Sequence, residues 1–365
     1  MHCGGEIVRR SASGGLVRRL FVMALLLTSA PHRATAQSRP SAPPRPAAPR
    51  ASARRAAARG TATGTVRTDT LWAQALGARK ALVVYLPPSY GKQKTRRYPV
   101  AYYLHGAGGN ERNWVEKAAL ALVMDSLVAA GMPEMIIAMP DADDSYYTTY
   151  NTLIDLATCK KMLPEGMNPD HDCVAWPHYD DYIAFDIVRH MDAAYRTRAD
   201  RAHRALGGLS MGGYGAVALA LQYPALFSAA ASHSGVLWPL ERAPDAFVKV
   251  LPHPDSVRVA INWIRRGPRG ERARLIFGAD SAAWFARDPV HMLDRLRAAG
   301  TPLPALFADC GTEDALIEES RAFRDALATR GVPLAYHEWP GDHSWPYWRD
   351  HVAQSLAWVA EHIAK

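Results

Sequence analysis

The run Ala205-Leu206-Gly207-Gly208-Leu209-Ser210-Met211-Gly212-Gly213-Tyr214-Gly215 decides how this chain is read. A short apolar stretch leads into Gly208-x-Ser210-x-Gly212, and the helix-like Ala216-Val217-Ala218-Leu219-Ala220-Leu221 follows. Strand, sharp turn, helix is the order, with a serine at the apex of the turn. A serine held this way has a strained backbone, so the positions two before and two after it must be small. Gly208 and Gly212 meet that demand. Glycine and serine are common in ordinary turns, so the pattern gains its weight from what surrounds it.

Working outward, buried-looking strands alternate with helical patterns. Val66–Trp72, Lys80–Leu86, Tyr98–Leu104, Met135–Met139, Phe227–Ser232, Ala305–Cys310 and Leu334–Trp339 read as strands beside the one that ends at the serine turn. Helices are expected over Val115–Ala130, Tyr182–Tyr195 (with Ile183, Ile187, His190/Met191 and Ala194 at helical spacing), Ala315–Arg330 and Tyr347–Ile363. Residues 236–300, rich in Pro, Arg and Trp, suit a helical, lid-like insertion over the end of the sheet. This alternation predicts an α/β fold with a mostly parallel sheet covered on both faces, extended on one side by antiparallel strands from the start of the domain. A site in such a sheet lies at the carboxyl ends of the strands. His105, Ser210 and the turns after Cys310 and Trp339 all fall there.

A serine hydroxyl needs a base to become a nucleophile. His343, in the turn Pro340-Gly341-Asp342-His343-Ser344-Trp345 directly after the last strand, is the favoured candidate. His337 lies within that strand and His351 on the final helix. The base in turn needs a carboxylate to fix its tautomer and stabilise the imidazolium. Gly311-Thr312-Glu313-Asp314 offers two, of which Asp314 is favoured over Glu313, although Asp314 would equally serve as an N-cap. An oxyanion hole requires two backbone N–H groups. Met211, at the positive end of the following helix, supplies one; the loop Leu104-His105-Gly106-Ala107-Gly108-Gly109 supplies the other, with Ala107 the expected donor. His105 is a candidate for orienting that loop and, with Gly106, for contacting substrate.

Taken in series, the four motifs around His105, Ser210, Asp314 and His343 resemble the esterase D family of α/β-hydrolases. That group comprises S-formylglutathione hydrolases, feruloyl esterases, tributyrin esterases and mycolyltransferases. The resemblance runs from about Thr63 to the C-terminus and is nearest to the exported feruloyl and short-chain esterases. It implies an α/β-hydrolase fold, Ser210 as nucleophile, Asp314 as acid, His343 as base, Ala107 and Met211 as oxyanion donors, and no cofactor or metal. Tyr146, Tyr147, Trp238 and Trp284 are candidates for an aromatic-friendly substrate pocket, with core or lid packing as the alternative.

The first 62 residues do not read as part of that fold. Arg9, Arg10, Arg18 and Arg19 precede the apolar run Leu20–Leu27, and Ala34-Thr35-Ala36 has the small-x-small form of a cleavage site. Residues 1–36 are therefore expected to be a secretory signal peptide, its apolar run too short to span a membrane. Residues 37–62, built of Ser, Ala, Pro and Arg, are expected to be a disordered linker, and 63–365 the esterase domain. Eleven arginines and one acid give residues 1–62 a net charge of +10, which leaves −2 of the total +8 for the rest. A nearly neutral domain carries no argument for nucleic-acid binding. In an exported chain Cys159 and Cys173 form a candidate disulfide, and Cys310 reads as a buried thiol. These features predict an exported serine carboxylesterase acting on a small-molecule or polysaccharide-linked ester. An acyltransferase and a non-catalytic binding protein on the same fold are the competing readings.

Overall fold

Strand residues here point alternately to two apolar layers, and that alternation builds the molecule. The computed structural model describes residues 62–149, 178–237 and 285–365, all within the unit Ala57–Lys365. Eight strands form one sheet: β1 (Thr65–Ala73), β2 (Ala78–Leu86), β3 (Val100–Leu104), β4 (Ile136–Pro140), β5 (Arg204–Leu209), β6 (Ala229–His233), β7 (Ala305–Gly311) and β8 (Ala335–Trp339). Their spatial order is β1-β2-β4-β3-β5-β6-β7-β8. β1 and β2 pair antiparallel, as do β2 and β4. Every pairing from β4 through β8 is parallel. Both the α/β-hydrolase architecture and its antiparallel extension match the expectation from sequence.

The described helices are α1 (Asn113–Lys117), α2 (Leu120–Ala129), α3 (Val188–Ala194), α4 (Met211–Gln222), α5 (Pro289–Ala298), α6 (Ile317–Thr329) and α7 (Trp345–Ile363). Val84, Tyr102, Leu206 and Leu306 turn to one face of the sheet, where Met191, Val217, Leu293 and Phe323 from α3, α4, α5 and α6 meet them. Their strand neighbours Val83, Tyr103, Ala205 and Phe307 turn to the other face, against Trp114, Met124 and Val352 from α1, α2 and α7. Each face is thus sealed by its own set of helices, as period-two strands demand.

Two elements depart from their sequence reading. The helix expected over Val115–Ala130 is broken at Ala119, which adopts φ 52°. Trp114 and Leu120 are both buried on the same side of the sheet. Six residues apart on an unbroken helix they would point roughly 120° away from each other, so the left-handed residue re-aims the second piece. The helix expected from Tyr182 begins at Tyr179–Asp181 and passes through a π-helical stretch, Tyr182–Ile187, before α3. Tyr182, Ile183, Ala184, Asp186 and Ile187 are all buried there, a wider stripe than a 3.6-residue period supplies. Of the expected insertion over residues 236–300, the described part is residues 236–237 and 285–300, where α5 packs beside α4. The expected signal peptide, the expected linker up to residue 61, Cys159, Cys173, Trp238 and Trp284 lie outside the described residues.

Candidate active site

The sheet reverses its winding at β3, which has β4 on one side and β5 on the other. The carboxyl ends of β3 and β5 therefore open a crevice, and the loop after β3 and the turn after β5 face each other across it. Ser210 sits at the apex of that turn with φ 52° and ψ −118°, a conformation a serine adopts only when its surroundings enforce it. The enforcement is steric. A Cβ on Gly208 would stand 2.2 Å from the Gly212 carbonyl oxygen, and one on Gly212 would stand 2.4 Å from the Leu104 carbonyl oxygen. Both positions admit only glycine. The Ser210 N–H donates to the His233 carbonyl at 2.8 Å, and its hydroxyl makes no helix-capping bond. That hydroxyl instead lies 2.9 Å from His343 Nε2.

His343 is placed by the turn after β8, its side chain 34% exposed and so open to a ligand. Its Nδ1 donates to Asp314 Oδ2 at 2.8 Å, and the Asp314 carboxylate is fully buried. The other carboxylate oxygen, Oδ1, accepts the Leu316 N–H at 2.8 Å. One Asp314 carboxylate oxygen thus meets His343 and the other the turn before α6; the N-cap of α6 is Leu316, with no side-chain cap, so the capping role weighed from sequence is not the one observed. Burial by itself would raise the Asp314 carboxyl. Hydrogen bonds from His343 and the Leu316 N–H, helped by the His343 charge, outweigh it and hold the carboxyl below the usual range.

The neighbouring acids and histidines are engaged elsewhere. Glu313 turns back to accept the Gly341 N–H, which pins the turn carrying His343. Asp342 accepts from the Ser344 hydroxyl. His337 and His351 both stack against Trp339, with ring centroids 5.0 and 4.3 Å away.

Facing Ser210, Gly106-Ala107-Gly108-Gly109 forms a tight turn closed by the Gly109 N–H on the Gly106 carbonyl at 3.0 Å. Gly108 takes the φ of +71° that such a turn requires at its third position. A Cβ on Gly106 would sit 3.4 Å from Ser210 Cβ, so this loop lies directly against the serine. Ala107, at the second position of the turn, is exposed. Across from it, the Met211 N–H opens the first turn of α4, where a helix leaves its N–H groups without intrahelical partners and carries a positive dipole end.

His105 is buried and braces this loop from beneath. Its Nε2 accepts the Ala142 N–H at 3.0 Å, which places its proton on Nδ1, 2.9 Å from the Gly106 carbonyl. Tyr147, also buried, donates its hydroxyl to the His105 carbonyl at 2.9 Å. Asp144 accepts the Gly108 N–H. Tyr147 also borders, with Thr149, Tyr214, Gln222, Arg287 and Met292, a cleft of about 590 Å³ beside α4. Tyr146 packs edge-on against Tyr214 with centroids 6.1 Å apart.

The segment following β4 is itself tied down. The Lys80 ammonium, wholly buried, bridges Asp141 at 3.3 Å and Asp143 at 2.5 Å, and Tyr179 donates to the same Asp143 oxygen. Desolvation opposes the Lys80 charge, but the two carboxylates overcome it and raise its pKa. Sequence reasoning passed over Lys80 and Asp144. The available signals were a lysine among apolar strand residues and the acid-rich Asp141-Ala142-Asp143-Asp144 at a strand end. Among the described residues no cluster of three or more His, Cys, Asp or Glu side chains is arranged to hold a metal ion.

The chain matches the sequence model of the Esterase family over residues 73–359. It is 30% identical over 279 residues to an esterase of Mycobacterium tuberculosis, an alignment covering 74% of this chain and 53% of the relative. It is 29% identical over 167 residues to an endo-1,4-beta-xylanase/feruloyl esterase of Xylanibacter ruminicola, covering 45% of this chain and 20% of that protein. The chain thus spans about half the length, or less, of these curated relatives. Among solved structures it resembles a ferulic acid esterase with a TM-score of 0.56 and 28% identity, over 82% of this chain and 99% of the other. With the sheet order, the strained serine turn and the family match in agreement, the chain belongs to the Esterase family of α/β-hydrolases.

Proposed function

We propose that this protein is an exported serine carboxylesterase that cleaves short-chain or aromatic, feruloyl-type esters through Ser210, His343 and Asp314. The observation that carries the reading is the unbroken relay from Asp314 Oδ2 to His343 Nδ1 at 2.8 Å and from His343 Nε2 to Ser210 Oγ at 2.9 Å. Family membership and the ferulic acid esterase likeness support the substrate class. Export rests on the leader-like residues 1–36.

In this mechanism the substrate carbonyl enters the crevice between the Gly106–Gly109 turn and the elbow. His343 Nε2 takes the Ser210 proton as Oγ attacks the acyl carbon, and the buried Asp314 carboxylate stabilises the imidazolium. Negative charge gathers on the former carbonyl oxygen, toward the N–H groups of Ala107 and Met211. Such preorganised donors are worth about 3 kcal/mol each in the transition state. The intermediate collapses as His343 returns its proton to the departing alcohol, leaving an acyl-enzyme. Water entering where the alcohol left gives a proton to His343 as it adds to the acyl carbon; the bond to Oγ then breaks, His343 returns the proton to Ser210, and the acid is released.

The test is turnover of para-nitrophenyl esters from acetate to laurate, and of methyl ferulate, by wild type and Ser210→Ala. The substitution is expected to lower kcat by about 10⁴-fold or more. Wild-type protein that hydrolyses none of these esters, or a variant that retains its rate, would remove the reading.

A further inference from the structure

On the sheet face that packs against α1, α2 and α7, a group of polar side chains is buried among apolar ones. His233 ends β6, Asp309 lies in β7 and Ser355 in α7, and each is 1% exposed or less. Asp309 Oδ2 stands 2.6 Å from His233 Nδ1, and Ser355 Oγ stands 2.7 Å from Nε2. Both ring nitrogens therefore face a polar partner, while Trp114 and Phe307 flank the ring at centroid distances of 6.0 and 6.2 Å. Tyr347 donates its hydroxyl to Asp309 Oδ1 at 3.0 Å, and the Tyr103 hydroxyl lies 3.0 Å from Ser355 Oγ. The residue types of the proposed triad thus recur here, but so deeply enclosed that none of the three can meet a substrate.

The elements this group joins are the ones that support the proposed triad. The His233 carbonyl accepts the Ser210 N–H at 2.8 Å, at the apex of the strained turn. Asp309 lies five residues ahead of Asp314 in the chain, and its carbonyl accepts the Ser234 N–H at 2.7 Å. Ser355 and Tyr347 belong to α7, which begins two residues after His343 and sets Trp348 edge-to-face against the His343 ring, centroids 5.0 Å apart and planes at 88°. Burying three polar side chains carries a desolvation cost that an apolar trio of the same shape would avoid. What a connected polar group supplies in return is a fixed geometry.

We propose that His233 is a positioning residue: its ring, held between Asp309 and Ser355, fixes where the end of β6 presents its carbonyl to the Ser210 N–H. That in turn keeps Ser210 Oγ at 2.9 Å from His343 Nε2. The proposal rests on the Ser210–His343–Asp314 reading and adds to it a residue that has no contact with substrate. Without its two clamps the His233 ring turns freely in its pocket, the end of β6 shifts, and the serine turn moves with the carbonyl it is bonded to.

The experiment compares His233→Gln, Ser355→Ala and Tyr103→Phe in the full chain, with Ser210→Ala as control. Active sites are counted by the nitrophenolate released when a para-nitrophenyl phosphonate modifies one serine per enzyme, carried to its endpoint, so that kcat refers to competent molecules alone. In His233→Gln and Ser355→Ala, kcat is expected to fall about ten- to hundredfold with KM unchanged, as displacement of a reacting group by up to about 1 Å predicts. Ser355→Ala leaves the ring in place and carries the test where His233→Gln does not fold. Tyr103→Phe removes a neighbouring hydroxyl that does not touch His233; its melting temperature is expected to fall by about 2 °C and its kcat to stay within about twofold of wild type. Wild-type kcat in Ser355→Ala would overturn the proposal. So would an equal loss of kcat in Tyr103→Phe, which would assign the effect to a loosened core, or a rise in KM at unchanged kcat. Ser210→Ala separates the two layers: if it leaves turnover intact the triad reading itself fails, whereas its inactivity beside a fully active Ser355→Ala removes only the role of His233.

Discussion

Glu319 lies in the first turn of α6, five residues after Asp314, and one of its carboxylate oxygens is buried with no hydrogen-bond partner among the described residues. Burial, with the Asp314 charge adding to it, pushes its pKa up to about 7 from an ordinary value of 4.5, and the charge of His343 only partly offsets this. A proton is therefore held more tightly in the folded chain than in the unfolded one. Stability follows the difference in bound protons. Below about pH 4.5 both states are protonated and the Glu319 contribution is fully present. Between about 4.5 and 7 the unfolded chain releases the proton first, so stability falls as pH rises, and above about 7 the loss is complete. At about 1.4 kcal/mol for each pH unit that separates the folded from the unfolded titration, the loss amounts to about 3 kcal/mol.

Replacement of Glu319 by Gln keeps the shape and removes the titration. The assay is urea unfolding of wild type and Glu319→Gln at intervals from pH 5 to pH 9, with the stability difference between them as the readout. The difference cancels the titration of histidines common to both proteins. It also sets aside any constant cost of burying an amide, because only its change with pH is read. The variant is expected to gain about 3 kcal/mol on wild type across the interval, most of it by about pH 7.5. This window lies above the range in which the contribution of Asp314, with its lowered carboxyl, changes; that contribution is fully present here, has the opposite pH dependence and is lost only as pH falls through the Asp314 value. A difference that stays flat from pH 5 to pH 9 would refute the reasoning, since it would mean that Glu319 is ionised at the same pH in both states.

Other expectations follow from the same kind of argument. Lys80→Met leaves Asp141 and Asp143 facing each other without their cation, and should cost about 3–5 kcal/mol in denaturant unfolding at neutral pH. The cost should shrink at low pH, where protonated carboxyls no longer repel. Tyr147→Phe removes the donor to the His105 carbonyl; stability should fall by about 1 kcal/mol, and kcat should fall more than KM rises, because the brace under the proposed oxyanion loop is loosened. Gly208→Ala places a methyl 2.2 Å from the Gly212 carbonyl oxygen. Ester turnover should drop by at least tenfold even in preparations whose circular dichroism shows a folded chain, and a fully active variant would show that the turn is not as rigid as its geometry requires.

What was legible in the sequence shared one property: it was written locally. The glycines flanking Ser210 are needed because a strained turn excludes a Cβ two positions away on either side, and that demand is visible in five consecutive residues. His343 and Asp314 were found because each follows an apolar strand run, which places it at the carboxyl edge without knowledge of the neighbouring strands. The break at Ala119 left no such mark, because it answers to where Trp114 and Leu120 must dock on a sheet surface made by other segments. Lys80 is similar: its partners lie about sixty residues away, so in sequence it is only a charge interrupting a strand. Trp348 is the sharpest case: it stands edge-to-face against His343 and donates its indole N–H to Ser234, 114 residues distant just after β6, an adjacency that no spacing along the chain encodes. The parts proposed to do the chemistry can therefore be read one motif at a time, whereas the parts that hold them at 2.8 and 2.9 Å become visible only once the strand order is known.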